Sequence, residues 1–425
     1  MGVIARLTQS GAIFAAHIFH AFTQWLVLSI LAKIGPPEDI GRYSLALAAT
    51  APVILGLSCQ HRIVIATDVR GAWYFSDYVT FRLVALAISI CSTVLIQTVL
   101  SLEADIKAAI VAVLVAKAVE SLSDLYDGLY QSVGQGRRQA LSSIARSTLG
   151  IFAFYFSYRA TSSLVVGIYA QASAWLLVLL AYNVPTGRFI GRSKTYSPLS
   201  LSRLERLTAL LRATYPLAVV GLVTSMHPNV PRYVVAANLG LEALGIYSGL
   251  AYFSLIGSYL ANAVASAFAD RFGAFSLLDS PSKFLRLTAA ISGSSLAIGG
   301  VLCALSALGG PALLELLYNR EFAAHSWLLV LLLAGSGFSY ASSVLRVALT
   351  ALNGNVSQSV IGVIGMSLAL VGSLALVPLI GLYGAAIALL VSHLGQCGML
   401  LLALLASVRR HWRSQSGSVT SILES

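Results

Sequence analysis

The stretch 215–260 reads YPLAVVGLVTSMHPNVPRYVVAANLGLEALGIYSGLAYFSLIGSYL. It carries two apolar runs, which extend over 213–237 and 243–266 and meet at a short connection with one acid, Glu242. A hydrocarbon core about 30 Å thick needs roughly 20 apolar residues per helix, so each run is long enough to cross it. The same pattern recurs outward in both directions. By length and hydropathy the remaining spans are expected at 11–33, 40–62, 80–102, 107–131, 140–159, 161–184, 284–308, 324–350, 356–378 and 382–407.

Composition supports this reading. Of 425 residues, 57% are hydrophobic and only 10% charged, against about 25% charged in ordinary soluble domains. A chain of this kind exposed to water would present aggregating patches over most of its surface. The first apolar run lacks a small-residue cleavage site and reads as a retained helix. The net charge of +11 would suggest nucleic acid in a soluble protein. Here the basic residues gather in alternate connections, among them Arg137, Arg138, Arg188, Lys194, Arg203, Arg206, Arg409 and Arg410, while the opposite connections carry Glu38, Asp39, Glu103, Asp105, Glu315 and Glu321. The positive-inside rule then places both termini in the cytoplasm and leaves no need for a nucleic-acid partner. The four cysteines stand singly, with no CxxC pair, so neither a metal nor a redox motif is present.

A repeat is visible. PEDIGRYSLALA (37–48) opens the second span and LEALGIYSGLAY (241–252) the eighth. Glu38, Gly41, Tyr43 and Ser44 match Glu242, Gly245, Tyr247 and Ser248 at a constant offset of 204. Gly134 in the turn after the fourth span stands opposite Gly354 after the tenth. The fold expected is an all-α polytopic membrane protein of about twelve helices, in two pseudo-symmetric six-helix bundles around a central cavity. Residues 1–184 form the first bundle and 213–408 the second, with a cytoplasmic tail at 409–425. Between them, 185–212 reads as a basic amphipathic linker on the inner leaflet, with Leu201, Leu204, Leu207, Leu210 and Leu211 on its apolar side.

No GxxxxGK[ST], HExxH or GxSxG motif occurs, and the outward connections are short. An enzyme and a nucleotide cofactor are therefore not expected, and intramembrane polar residues become the site candidates. The fourth span, KAVESLSDLYDGLYQ (117–131), sets Lys117, Glu120, Asp124 and Asp127 on one helical face. They read either as internal ion pairs or as a cation or proton relay. In the first span His17, His20 and Gln24 share a face, as packing residues or as cavity lining. In the seventh, Pro228 and Pro231 remove two backbone donors, so a kink or unwound turn is expected there. Beside it Arg232, Asn229 and His227 could hold an anion, or Arg232 could reach the outer interface. Arg62, Arg82 and Arg346 read as interface anchors.

The stretch 215–260, above all Pro216, NVPRY (229–233) and LGIYSGLAY (244–252), resembles the polysaccharide flippases of the Wzx type. These belong to the multidrug/oligosaccharidyl-lipid/polysaccharide exporter superfamily. IGRYSLALAATAP (40–52) and IATD (65–68) look similar to the corresponding parts of the first half. The resemblance implies alternating access about a central cavity in a bacterial inner membrane. The cargo it implies is an undecaprenyl-diphosphate-linked oligosaccharide, with Arg232 at the anionic head group. A polysaccharide polymerase and chain-length machinery become possible partners. The competing readings are a cation-coupled drug antiporter of the same superfamily, which would centre on Glu120, Asp124 and Asp127, and a membrane glycosyltransferase or polymerase.

Overall fold

The computed structural model describes residues 3–68, 73–99, 102–193, 202–268, 272, 281–352 and 354–423. The expectations at Lys194 and Leu201 lie outside these residues. The described residues form helices and turns, without strands. In a bilayer, a helix satisfies its own backbone hydrogen bonds, which an open strand cannot do.

Residues 1–226 form one compact unit and 227–425 another. The first holds α1 (Val3–Ile34), α2 (Pro37–Leu57), α3 (His61–Thr67), α4 (Phe75–Val99), α5 (Ala104–Ser132) and α6 (Gly136–Thr161). It continues through α7 (Leu164–Val178), a π-turn (Leu179–Asn183) and α8 (Val184–Ser193). The long helix α9 (Arg203–Ala251) passes from the first unit into the second. There it is followed by α10 (Phe253–Ala267), α11 (Pro281–Leu317), the short α12 (Arg320–Ala324), α13 (Ser326–Ala351), α14 (Asn355–Ile380) and α15 (Leu382–Leu423).

Local chemistry sets the ends. Pro37 opens α2, where its missing donor has no helical partner to lose. Ser162, at φ 53°, stops α6, and the Ser163 hydroxyl then accepts from the Val166 N–H to start α7. Gly381, at φ 62°, turns α14 into α15.

Among the described residues nine helical stretches are long and apolar enough to cross a membrane. Helices α5 and α6 also have the length to cross, but α5 carries Lys117, Glu120, Asp124 and Asp127 and α6 is diluted by Gln139, Ser142, Ser143, Arg146 and Ser147. One apolar stretch, Arg203–Tyr259, contains two legs, because α9 breaks at Gly240 (φ 85°, ψ −176°). With α5, α6 and the second leg counted, the fold is a polytopic bundle of twelve spans. Large apolar side chains such as Leu95, Leu308 and Leu379 stand exposed on the outside, where hydrocarbon replaces water as their surroundings.

The two units repeat each other. The break at Gly240 lies 204 residues from Pro36, the residue before α2. At the same offset, Ile40, Tyr43 and Ser44 are buried like Leu244, Tyr247 and Ser248. The packing repeats as well. Helices α6 and α7 pair as α14 and α15 do, α5 and α7 as α13 and α15, and α2 and α5 as α10 and α13.

Two expectations are corrected. The backbone does not unwind at Pro228 and Pro231. Helical geometry runs through both, and Gly240 is the non-helical residue of α9. Each ring removes one N–H, freeing the carbonyls of Thr224 and His227, yet a proline's fixed φ is itself helical, so the turn survives the loss. The non-helical residue falls instead where glycine can take a positive φ. Arg82 is no interface anchor. It is buried, and its guanidinium donates to the Ser121 carbonyl at 3.1 Å and the Ser58 carbonyl at 3.2 Å. The described end of the 185–212 segment is the start of α9: Leu210 is buried, Leu204 and Leu211 are exposed, and Arg206 pairs with Asp77 at 3.3 Å.

In the second unit α11 and α13 touch backbone to backbone at Gly299 and Gly337, a small-residue contact of the kind that drives helix association in lipid. A Cβ at 299 would collide with the Gly337 Cα. Gly299→Val is therefore expected to cost about 1–3 kcal/mol or more, by forcing the pair apart. A fall in the unfolding temperature of the purified protein would show it; Gly300→Ala, whose Cβ meets nothing within 4 Å, serves as the neutral control.

Candidate functional site

Each unit holds a buried polar cluster, and the two differ in their charge balance. In the first, α1, α3, α5 and α6 supply the side chains. Lys117 Nζ lies 2.7 Å from Glu120 Oε2, within α5. The other carboxylate oxygen, Oε1, takes a hydrogen bond from His20 Nε2 at 3.0 Å, and His20 Nδ1 meets the Ser147 hydroxyl at 2.8 Å. Because a carboxylate can only accept, His20 carries a proton on Nε2. His17 Nε2 accepts from Arg62 Nη2 at 2.8 Å, which fixes the opposite tautomer there. Gln24 receives the Tyr43 hydroxyl at 3.5 Å.

Two turns further along α5, Asp127 faces Arg146 of α6 at 3.8 Å, with both side chains almost fully buried. Asp124 stands apart from these pairs. It is half-buried and acts on Arg82 and His17 electrostatically. The first unit therefore brings His17, His20, Lys117, Glu120 and Asp127 into three neighbouring sets of contacts, His17 with Arg62, His20 with Glu120, Lys117 and Ser147, and Asp127 with Arg146, to which sequence reasoning had not assigned Arg146 or Ser147. Arg146 sits in the fifth span, where a lone arginine in an apolar run is itself a signal.

Among the described residues the second cluster holds cations without acids. Arg232 Nη1 donates to Asn229 Oδ1 at 3.0 Å within α9, and its Nε is buried with no partner. Arg346 of α13 donates to Ser343 Oγ at 3.2 Å. His227 Nε2 bonds the Ser392 hydroxyl at 2.8 Å, and that hydroxyl donates to the Gly365 carbonyl at 2.7 Å. His393 Nδ1 donates to the Gly335 carbonyl at 3.1 Å, its ring 5.1 Å from that of His227. Among the described residues of this unit the one ion pair is Arg320 with Glu315, out on the surface. His393 was not singled out from the sequence, although an intramembrane histidine carries the same signal as His17. Among the described residues no three His, Cys, Asp or Glu side chains come together as a metal site.

The chain is 26% identical to the capsular polysaccharide biosynthesis protein CapF of Staphylococcus aureus over 386 residues, 89% of this chain and 94% of that protein. The lipid II flippase MurJ, in an inward closed conformation, matches with a TM-score of 0.72 at 12% identity, over 96% of this chain and 90% of MurJ. A mutant of the Vibrio cholerae MATE transporter VcmN matches at 0.65 and 13% identity, over 96% and 98%. The chain has the fold of the MATE and MurJ transporters. No family model matches it. The structural matches are shared fold, and the match to CapF runs through both repeats rather than one.

Proposed function

We propose that this protein moves lipid-linked oligosaccharide, carried on undecaprenyl diphosphate, from the inner to the outer leaflet of a bacterial inner membrane. The observation that carries the reading is the similarity to a capsular polysaccharide biosynthesis protein along nearly the whole chain. The second cluster supplies a physical reason. A diphosphate cannot enter hydrocarbon unaccompanied, and Arg232 and Arg346 are cations with no described acid beside them. Arg232, supported by Asn229 and His227, is the proposed seat of the anionic head group, and the lipid tail stays in the bilayer. Lys117, His17, His20 and Gln24 are proposed as further polar lining. Both termini face the cytoplasm in this scheme, and a polysaccharide polymerase with its chain-length machinery would use the product delivered to the outer leaflet.

A cation-coupled antiporter is the second reading. Asp124 favours it, as a half-buried carboxylate outside the ion pairs that Glu120 and Asp127 make. Deletion in the host separates the two. The flippase reading expects loss of surface polymer with complete lipid-linked units accumulating on the inner leaflet, measured by extraction and mass spectrometry. Normal polymer with altered drug sensitivity would instead support the antiporter.

A further inference from the structure

In the first unit the Tyr43 hydroxyl reaches Gln24 across the pair α1 and α2. The second unit repeats that pair as the two legs of α9, and Tyr247 takes the place of Tyr43. The same offset of 204, carried back along the helix, sets Pro228 at the position of Gln24 and Arg232 at the position of Leu28. Proline offers no side-chain acceptor. Tyr247 is accordingly 1% exposed with its hydroxyl unpartnered. Arg232 has gained a guanidinium where the other repeat keeps a fully packed leucine, and its buried Nε is unpartnered too. The two groups are electrostatic neighbours. A buried O–H and a buried guanidinium N–H that both lack an acceptor, with no acid beside that cation among the described residues, call for one missing partner: an anion with several acceptor oxygens.

We infer that Tyr247 and Arg232 together form the seat of a phosphate-type oxyanion, with the tyrosine hydroxyl as the second, neutral donor. This rests on the reading of Arg232 as the site of the cargo's anionic group. It adds a second, neutral donor to that site. An O–H and an N–H on separate side chains can each donate to a different oxygen of one phosphate.

The test is saturable thermal stabilisation of the purified full-length protein by inorganic pyrophosphate, with chloride at equal ionic strength as the reference. Wild type and Tyr43→Phe are expected to share one midpoint concentration, because the Tyr43 hydroxyl already has its acceptor. Tyr247→Phe should raise the midpoint about tenfold, the effect of one lost hydrogen bond to a charged group. Arg232→Gln should raise it further. Pro228→Gln tests the same point by a gain rather than a loss. It restores the acceptor found at Gln24, occupies the Tyr247 hydroxyl, and should also weaken pyrophosphate. An unchanged midpoint in both Tyr247→Phe and Pro228→Gln, with Arg232→Gln still impaired, overturns the role of Tyr247 and leaves the arginine reading standing. Equal stabilisation by chloride and pyrophosphate would overturn the oxyanion seat itself, while the accumulation of lipid-linked units in the deletion strain judges the flippase reading separately.

Discussion

Arg146→Met is expected to remove most of the folded protein from the membrane, at a cost of about 3–5 kcal/mol. Arg146 is 3% exposed and its partner Asp127 1%, so neither charge can turn to water. Removing the arginine leaves a carboxylate buried among α5 and α6 with nothing to balance it, and protonating Asp127 recovers part of that cost and no more. The loss also spreads. Arg146 acts electrostatically on Glu120 and His17 as well as on Asp127, so the contacts through His20 lose a stabilising field. The pair at 3.8 Å is not tightly closed, and Asp127 Oδ1 together with Arg146 Nε and Nη1 has no hydrogen bond. The pair itself is therefore worth little over apolar packing, and the cost lies in orphaning one half. It follows that Arg146→Met combined with Asp127→Leu should recover most of the stability lost by the single change. Membrane abundance and the unfolding midpoint of the solubilised protein measure both. A single variant as stable as wild type would mean that the pair contributes nothing.

The spans were legible because hydropathy and length are set by the bilayer and not by the neighbouring helix. The repeat was legible in PEDIGRYS and LEALGIYS because both segments build the same buried helix start. The shared face of α5 followed from helical spacing alone, and so did the neighbourhood of His17, His20 and Gln24. Spacing does not say which side chain another helix brings to that face. Nothing in the run 117–131 indicates that Glu120 meets His20 while Asp127 meets Arg146. Arg82 was misread for the same reason, since its acceptors are the backbone carbonyls of Ser58 and Ser121, and a carbonyl leaves no mark in a sequence. Pro228 and Pro231 misled in the opposite way. Their local preference is visible, but the break depends on where the chain must turn, and Gly240 meets that need at a positive φ.

Arg232→Leu is expected to slow cargo export roughly ten- to a hundredfold while leaving the protein folded, and stability and function should part company here more sharply than at any other residue of the site. The variant restores the residue found at the equivalent position of the first repeat, where Leu28 is 1% exposed in the same helical setting. Leucine therefore suits this kind of position, and the arginine is retained against a desolvation cost, with one hydrogen bond to Asn229 and a buried Nε left over. Removing it should leave the unfolding temperature unchanged or raised. If the guanidinium holds the anionic head group, losing a charge-assisted contact worth about 1.5–3 kcal/mol slows export roughly ten- to a hundredfold. Arg232→Lys should fall between the two, keeping the charge but losing the planar pair of donors. Lipid-linked units on the inner leaflet and surface polymer report export, and protein level reports folding. A leucine variant that exports normally would remove Arg232 from the path and shift the search for the anion's seat to Arg346 and the histidines around it.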